Sequence, residues 1–315
     1  MISTSEIDDR IRTEFIEANH LHFEVDMCGD GDKLALCLHG FPEHSISWRY
    51  QLPMLAELGY KAWAPNMRGY GNSSVPMFME DYSLENLMED VAALIDAAGC
   101  DEVVLIAHDW GAVIAWHFAI RQIRPLNKLI ICNVPHPVPM QKAFGKGFAQ
   151  LRKSWYVFFF QLPGLPEMMM RMRRHLGMGN LIKNSAYNPE NFPDEVIDVY
   201  NQNGSRPENL TAMINYYRAV VRGGGGKRQR DLGYPTIETP TLMIWGEDDM
   251  ALTKQTTYGT EEVVKDFNIR YLPRISHWVQ QDAPVEVNAM ISAFLTGQPV
   301  PEMMWEAKLV ASNAV

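Results

Sequence analysis

This chain of 315 residues is short of positive charge. Lys and Arg number 28 against 38 Asp and Glu, a net charge of −10. That balance argues against nucleic acid or an anionic membrane surface as a partner, because both need clustered positive charge. Two short basic clusters, Arg171 to His175 and Lys227 to Arg230, read as solvated helix faces or loops. Cysteine is scarce. Cys28, Cys37, Cys100 and Cys132 show no metal-binding or redox spacing, and Cys37 and Cys132 sit in apolar runs as small hydrophobes. No apolar run approaches the ~18 residues that suggest a membrane span. Met1 to Arg12 is polar and charged, with no apolar stretch of the kind a signal peptide needs. A cytoplasmic protein with reduced thiols is therefore expected. His-Glu-x-x-His, Cys-x-x-Cys and a Walker-type phosphate loop are also missing, so neither metal nor organic cofactor is expected.

What is present is a globular composition, 47% hydrophobic and 21% charged, enough for a substantial core. The length suits two domains, or one large α/β core with an insertion. Strand-like runs fall at Leu21–Val25, Leu34–Leu38, Lys61–Ala64, Val103–Ala107 and Lys128–Cys132. Between them, Leu84, Leu87, Met88, Val91, Leu94 and Ile95 recur at helical spacing behind Ser83, a candidate cap. Apolar strands alternating with amphipathic helices predict a mostly parallel sheet covered on both faces. The rhythm stops near Val134-Pro135-His136-Pro137. From there to about Tyr234 the chain reads as helical, aromatic and rich in Met, ending in Gly223 to Gly226, a flexible joint. Strand signals return at Thr241–Trp245 and Ile269–Leu272, with helix-like segments at Thr260–Phe267 and Val285–Phe294. The expected organisation is a core over 1–137, a helical lid over 138–232 and the rest of the core over 233–315.

The most informative stretch is Ile106-Ala107-His108-Asp109-Trp110-Gly111, which joins an apolar strand to an apolar helix. Asp is a favoured helix N-cap, and capping is the simplest use of Asp109. However, small–x–nucleophile–x–small between strand and helix is also the nucleophile elbow of an α/β-hydrolase. Ser usually fills the middle position. A carboxylate there displaces a leaving group at saturated carbon and leaves an alkyl ester for water to cleave, which points to epoxides or alkyl halides. In chain order nucleophile, acid, His, the acid falls in Gly246-Glu247-Asp248-Asp249, where Gly-x-x-Asp spacing selects Asp249 with Asp248 as the alternative. Asn133, at the end of the preceding core strand, cannot ionise. His277 follows the last strand signal and would take a proton from water, with Asp249 fixing its tautomer. Oxyanion donors are expected at the backbone N–H groups of Trp110 and Phe41. His39 reads as a residue that ties its loop by hydrogen bonds.

His39-Gly40-Phe41-Pro42-Glu43, Trp48-Arg49-Tyr50-Gln51, Arg68-Gly69-Tyr70-Gly71 and His108-Asp109-Trp110-Gly111, in this order and spacing, resemble the soluble epoxide hydrolases of the α/β-hydrolase superfamily. The resemblance covers about residues 15 to 137 and 235 to 295. One departure is Asn66, where such proteins commonly carry Asp. The resemblance implies two lid tyrosines that donate to the epoxide oxygen. Trp155-Tyr156-Val157-Phe158 and Asn215-Tyr216-Tyr217-Arg218 match those segments, giving Tyr156 and Tyr217, with Tyr216 as the rival to the second. It implies hydrolysis of an epoxide to a vicinal diol through an ester on Asp109, with an apolar small-molecule epoxide and water as partners. Met168, Met169, Met170, Met172 and Met178 beside three Phe residues suggest an adaptable apolar pocket wall for bulky substrates.

Two rivals follow from the same residues. A haloalkane or haloacid dehalogenase also uses an Asp nucleophile, and the Trp110 indole could hold halide. Phe41 stands where haloalkane dehalogenases often carry Asn, and Trp110 where fluoroacetate-type enzymes typically carry Arg. A non-catalytic small-molecule receptor on this fold is the remote alternative.

Overall fold

The computed structural model describes residues 7–146, 148–172 and 177–303. In chain order the first half runs β1 (Arg12–Ala18), β2 (Leu21–Cys28), β3 (Lys33–Leu38), α1 (Gln51–Glu57), β4 (Tyr60–Pro65), α2 (Leu84–Ala98), β5 (Glu102–His108), α3 (Asp109–Arg121) and β6 (Lys128–Cys132). Helices α4 (Pro137–Lys146), α5 (Phe148–Lys153), α6 (Trp155–Phe159), α7 (Leu165–Met172), α8 (Met178–Ser185), α9 (Asp194–Ser205), α10 (Pro207–Val221) and α11 (Gly225–Asp231) follow. The chain then returns to β7 (Thr241–Gly246), β8 (Phe267–Leu272), α12 (Val279–Asp282) and α13 (Pro284–Leu295). The eight strands form one sheet in the order β1-β2-β4-β3-β5-β6-β7-β8. β2 is antiparallel to both its neighbours, and every pair from β4 through β8 is parallel.

Successive side chains of a strand point to opposite faces, and the central strands are apolar on both. Val103, Leu105 and Ala107 of β5 join Leu36, Ile131 and Met243 against α2 and α3. Val104 and Ile106 join Cys37, Ile130 and Ile244 against α1 and α13. Cys37 and Cys132 are fully buried there, and all four cysteines are free. Ser83 caps α2 by accepting from the Asn86 N–H, and Gly99 ends that helix in the left-handed conformation.

Three local readings change. β1 carries no clean apolar pattern because it is an edge strand with mostly exposed side chains; it pairs through the two-residue Asn19-His20 turn, both residues at positive φ. Thr260–Phe267 is not a helix. A single turn at Thr260–Glu262 gives way to buried Val264, which bridges Ile237, and Phe267 opens β8; β-branched Val263 and Val264 favour this extended course. Gly223 to Gly226 is a tight corner between α10 and α11, since Gly224 sits at φ +71° and Gly225 begins the next helix.

No helix of the described residues is long and apolar enough to cross a membrane. Of the cluster Arg171 to His175, residues 173–175 lie outside the described residues.

Candidate active site

Asp109 occupies the corner between β5 and α3 with φ at +45°. Left-handed backbone costs an L-residue roughly 1–2 kcal/mol, and two glycines give the corner its room. A Cβ on Gly111 would lie 2.4 Å from the Leu38 carbonyl oxygen, and one on Gly40 would lie 2.2 Å from the Asp109 Cβ. The N-cap position of α3 is His108 and Asp109 is the first helical residue, so Asp109 does not cap the helix. Its Oδ1 instead accepts from the Phe41 backbone N–H at 2.7 Å. The Trp110 N–H lies in the first turn of α3, where no intrahelical acceptor exists.

His277, on the loop after β8, bridges two carboxylates. Its Nδ1 is 2.6 Å from Asp249 Oδ2 and its Nε2 is 3.4 Å from Asp109 Oδ2. Burial alone would lower its pKa, but the flanking Asp249 and Asp109 charges raise it to about 10. Burial would conversely raise both acids. The His277 partnership outweighs that and holds each below the ordinary Asp value, helped by the Phe41 N–H at Asp109 and by Asn133 and the Leu252 N–H at Asp249. Asp249 is the acid in contact. Asp248 is exposed, and Glu247 is paired with Lys254.

The β3–α1 loop is fixed from beneath. His39 Nδ1 lies 3.0 Å from the Gly40 carbonyl and its Nε2 accepts from the Met67 N–H, so the ring is neutral, and burial lowers its pKa to about 4. Glu43 is fully buried. It accepts from the Gly40 N–H, from Gln280 and Gln281, and pairs with His108 Nδ1 at 2.6 Å. His108 Nε2 lies 2.8 Å from the His277 carbonyl oxygen. One chain of contacts therefore runs from the Phe41 loop to the His277 loop. Asn66 belongs to a separate cluster, where its amide donates to Glu24 Oε2 at 2.8 Å and accepts from the Ser45 N–H. An Asp at this position would set a second carboxylate against Glu24.

The insertion brings Tyr156 of α6 and Tyr217 of α10 above Asp109. Their rings are 5.9 Å apart and nearly perpendicular, and both line the same cavities as Asp109. Burial, then the Asp109 charge, raises both phenols above their ordinary pKa, so both hydroxyls are protonated at neutral pH. The Trp110 and Tyr217 rings lie 5.0 Å apart and nearly perpendicular. Tyr216 points elsewhere, with its hydroxyl donating to the Arg68 carbonyl at 2.8 Å. A first cavity of about 400 Å³ lies between Asp109, His277, Trp155, Phe159, Met169 and Met170. A second of about 390 Å³ lies between Asp109, Trp110, Val113, Pro137, Val157 and Tyr234. Met169 and Met170 are thus pocket wall, Met168 is exposed and Met178 packs in the core. The Met172 side chain lies outside the described residues.

Several contributors were not legible as such. Glu43 and His108 lie inside the sequence motifs, but nothing in the motifs shows what they contact, and Asn133, which cannot ionise, carries no sequence signal of its part in the site. Its amide donates to Asp249 Oδ2 at 2.8 Å while its Oδ1 accepts from the Gly246 N–H. Lys153 lines the first cavity and donates to the Asp249 carbonyl. Nothing in its local sequence marks it. Among the described residues no three His, Cys, Asp or Glu side chains are grouped to hold a metal.

The sheet, the strand-to-helix corner and the buried His define an α/β hydrolase, and the alpha/beta hydrolase fold family matches residues 35–273. Epoxide hydrolase 1 of Caenorhabditis elegans is 35% identical over 293 residues, covering 90% of this chain and 70% of the relative. Epoxide hydrolase 3 of Xenopus tropicalis is 37% identical over 273 residues, covering 84% and 72%. The crystal structure of Epoxide Hydrolase A from Mycobacterium thermoresistibile superposes with a TM-score of 0.77 at 28% identity, over 92% of this chain and all of that one. A mutant of an epoxide hydrolase from Bacillus megaterium gives a TM-score of 0.79 at 29% identity, over 90% of this chain and 100% of the other. The chain belongs to the epoxide hydrolases of the α/β hydrolase fold.

Proposed function

We propose that this epoxide hydrolase converts an apolar epoxide to a vicinal diol through a covalent ester on Asp109. The observation that carries the reading is the Asp109 carboxylate itself. One oxygen is held by the Phe41 N–H, the other lies near His277, and both tyrosine hydroxyls share its cavities. Residues 138–232 act as a lid that supplies those tyrosines. Tyr156 and Tyr217 hydrogen-bond the epoxide oxygen. Asp109 Oδ2 attacks a ring carbon, the C–O bond breaks, and a tyrosine gives its proton to the alkoxide.

Esterification removes the Asp109 charge, so His277 loses one of the two anions that raise its pKa. Its proton restores the tyrosine, and the neutral imidazole, oriented by Asp249, takes a proton from water. That water attacks the ester carbonyl. The Phe41 and Trp110 N–H groups stabilise the resulting oxyanion; His277 returns its proton to the departing diol oxygen, and the carboxylic acid left on Asp109 passes its proton to His277, which regenerates the resting state. No metal or organic cofactor enters these steps. A cytoplasmic setting fits the four free cysteines.

A dehalogenase would need halide donors at Asp109; what lines the Asp109 cavities instead is the pair of protonated phenols, Tyr156 and Tyr217. The decisive experiment is a single turnover in heavy-oxygen water with enzyme in excess. The diol should carry ordinary oxygen from Asp109, and solvent label in that first cycle would end the ester reading. His277→Gln should accumulate an adduct of substrate mass on the intact protein.

A further inference from the structure

We infer that the face of the protein carrying α5 to α8 docks on an anionic lipid bilayer, with the mouth of the first cavity turned toward the membrane. The whole-chain charge of −10 argues against such a partner, but the charge is unevenly spread. In sequence, residues 138–185 contain eight Lys and Arg and one acid, Glu167, a local net of +7, so the remainder carries −17; of these, Lys142 is paired with Glu262 and Lys183 with Asp194, and Arg173, Arg174 and the Lys146 side chain lie outside the described residues. Glu167 is withdrawn into an ion pair with Arg218 at 2.6 Å. Arg152 and Arg171 are exposed and have no acidic partner among the described residues. A positive face on a negative molecule is attracted to an anionic surface and oriented by it.

The same face is apolar. Leu151, Trp155, Phe158 and Leu162 recur at spacings of four, three and four, and all are exposed, Trp155 by 63% and Phe158 by 60%. Among the described residues, nine of the nineteen exposed large hydrophobics fall between Phe144 and Leu181. Trp155, Met169 and Leu181 also line the first cavity, so its mouth opens through this surface. Aromatic and aliphatic side chains interleaved with Arg and Lys are the composition of a surface that sits in the headgroup–acyl boundary, at a depth of roughly 5–10 Å. The acids beside this face are exposed Asp248, two residues before Met250 of the cavity lining, and Glu262 and Asp194, which pair with Lys142 and Lys183; among the described residues, Arg152 and Arg171 carry its unpaired positive charge. An apolar epoxide dissolved in the bilayer would reach the cavity without crossing water.

The test uses the full chain and vesicles of neutral phosphatidylcholine, with or without 30 mol% phosphatidylglycerol (about one lipid in three anionic, a composition chosen to give strong surface charge). Flotation should recover the protein with the anionic vesicles only, and salt should release it. Arg152→Glu/Arg171→Glu should weaken binding about tenfold or more, and Leu162→Ser/Met168→Ser should also reduce it. Turnover of a water-soluble epoxide should be unchanged in both. Trp155 emission should shift to the blue on binding and be quenched by brominated lipid. Trp155→Phe should lose most of that signal yet still float. Asp109→Asn should bind like wild type, which separates docking from the ester chemistry. Equal recovery with both vesicles, or with neither, would overturn the inference. So would a concentration-dependent dimer abolished by Leu162→Ser/Met168→Ser, which would make a second copy the occupant.

Discussion

Asn133 donates a 2.8 Å hydrogen bond to Asp249 Oδ2, the same oxygen that holds His277 Nδ1 at 2.6 Å. An amide at the end of β6 therefore supports the acid at the end of β7, and both side chains are buried. Asp249→Asn should leave ester formation largely intact and slow its hydrolysis by about 10⁴-fold, because His277 loses the anion that stabilises its charged form. Moving the carboxylate should restore part of that loss. Asn133→Asp/Asp249→Asn keeps one acid and one amide in contact beside the imidazole. Rapid-quench measurement of the ester would show it accumulating in the single variant and turning over again in the double. A double variant no faster than the single would mean that only the β7 position can orient His277.

The two halves of the reaction should separate by pH. Asp109 is held below its ordinary pKa, so its carboxylate is ionised throughout the neutral range and the proposed alkylation rate should be flat there. Hydrolysis needs neutral His277, whose resting pKa of about 10 falls once Asp109 is esterified. The hydrolysis rate should therefore rise with pH through a value below 10, read from single-turnover decay of the adduct. Stability carries the same signature. A His pKa of about 10 when folded, against about 6.5 unfolded, gives stabilisation that is complete below the unfolded value and lost as pH rises through the folded one. Asp109→Asn removes one of the anions, so thermal unfolding scans from pH 6 to 10 should show this loss beginning at lower pH in the variant.

Much of this site was legible because the α/β arrangement forces it. Near-continuous apolar runs at 34–38, 103–107 and 241–245 can only be strands buried on two faces, and polar groups then fall at their ends, where Asp109, Asp249 and His277 meet. Ser83 and the periodic Leu residues of α2 carry local signals strong enough to survive folding. β1 was hidden because an edge strand needs no apolar face. Thr260–Phe267 is ambiguous in sequence because a short β-branched pair supports either structure until Ile237 pairs with Val264. Lys153 and Asn133 could not be placed, since their partners lie about a hundred residues away in sequence. Tyr216 and Tyr217 are adjacent, and only packing decides which hydroxyl meets the Arg68 carbonyl and which meets the cavity.

Tyr156 and Tyr217 should act on ring opening alone. Each hydroxyl is protonated at neutral pH and shares the Asp109 cavity, so removing one leaves the developing alkoxide with a single donor. Tyr156→Phe and Tyr217→Phe should each slow alkylation by about 10²-fold, within the range for general-acid catalysis, and the double variant should be far slower than either. Hydrolysis of a preformed ester should be little changed in all three. If either single variant slowed ester hydrolysis and spared alkylation, that tyrosine would belong to the water step instead.

The two cavities, about 400 and 390 Å³, meet at Asp109, Tyr156 and Tyr217. A terminal epoxide with one apolar arm can fill only one of them. An internal epoxide with an apolar arm on each ring carbon can fill both, and each buried methylene is worth about 0.8 kcal/mol, roughly a fourfold gain in binding. At equal carbon number, internal epoxides should therefore have the higher kcat/KM, by tenfold or more once each arm reaches two or three carbons. Val113 lines only the second cavity and Met170 only the first. Val113→Phe should erase the advantage of the internal epoxide and leave the terminal one nearly unchanged, since the terminal substrate retreats into the first cavity. Met170→Trp should do the same from the other side. If both variants lowered kcat/KM for terminal and internal substrates in equal proportion, the cavities would be acting as one space and the two-armed preference would be wrong.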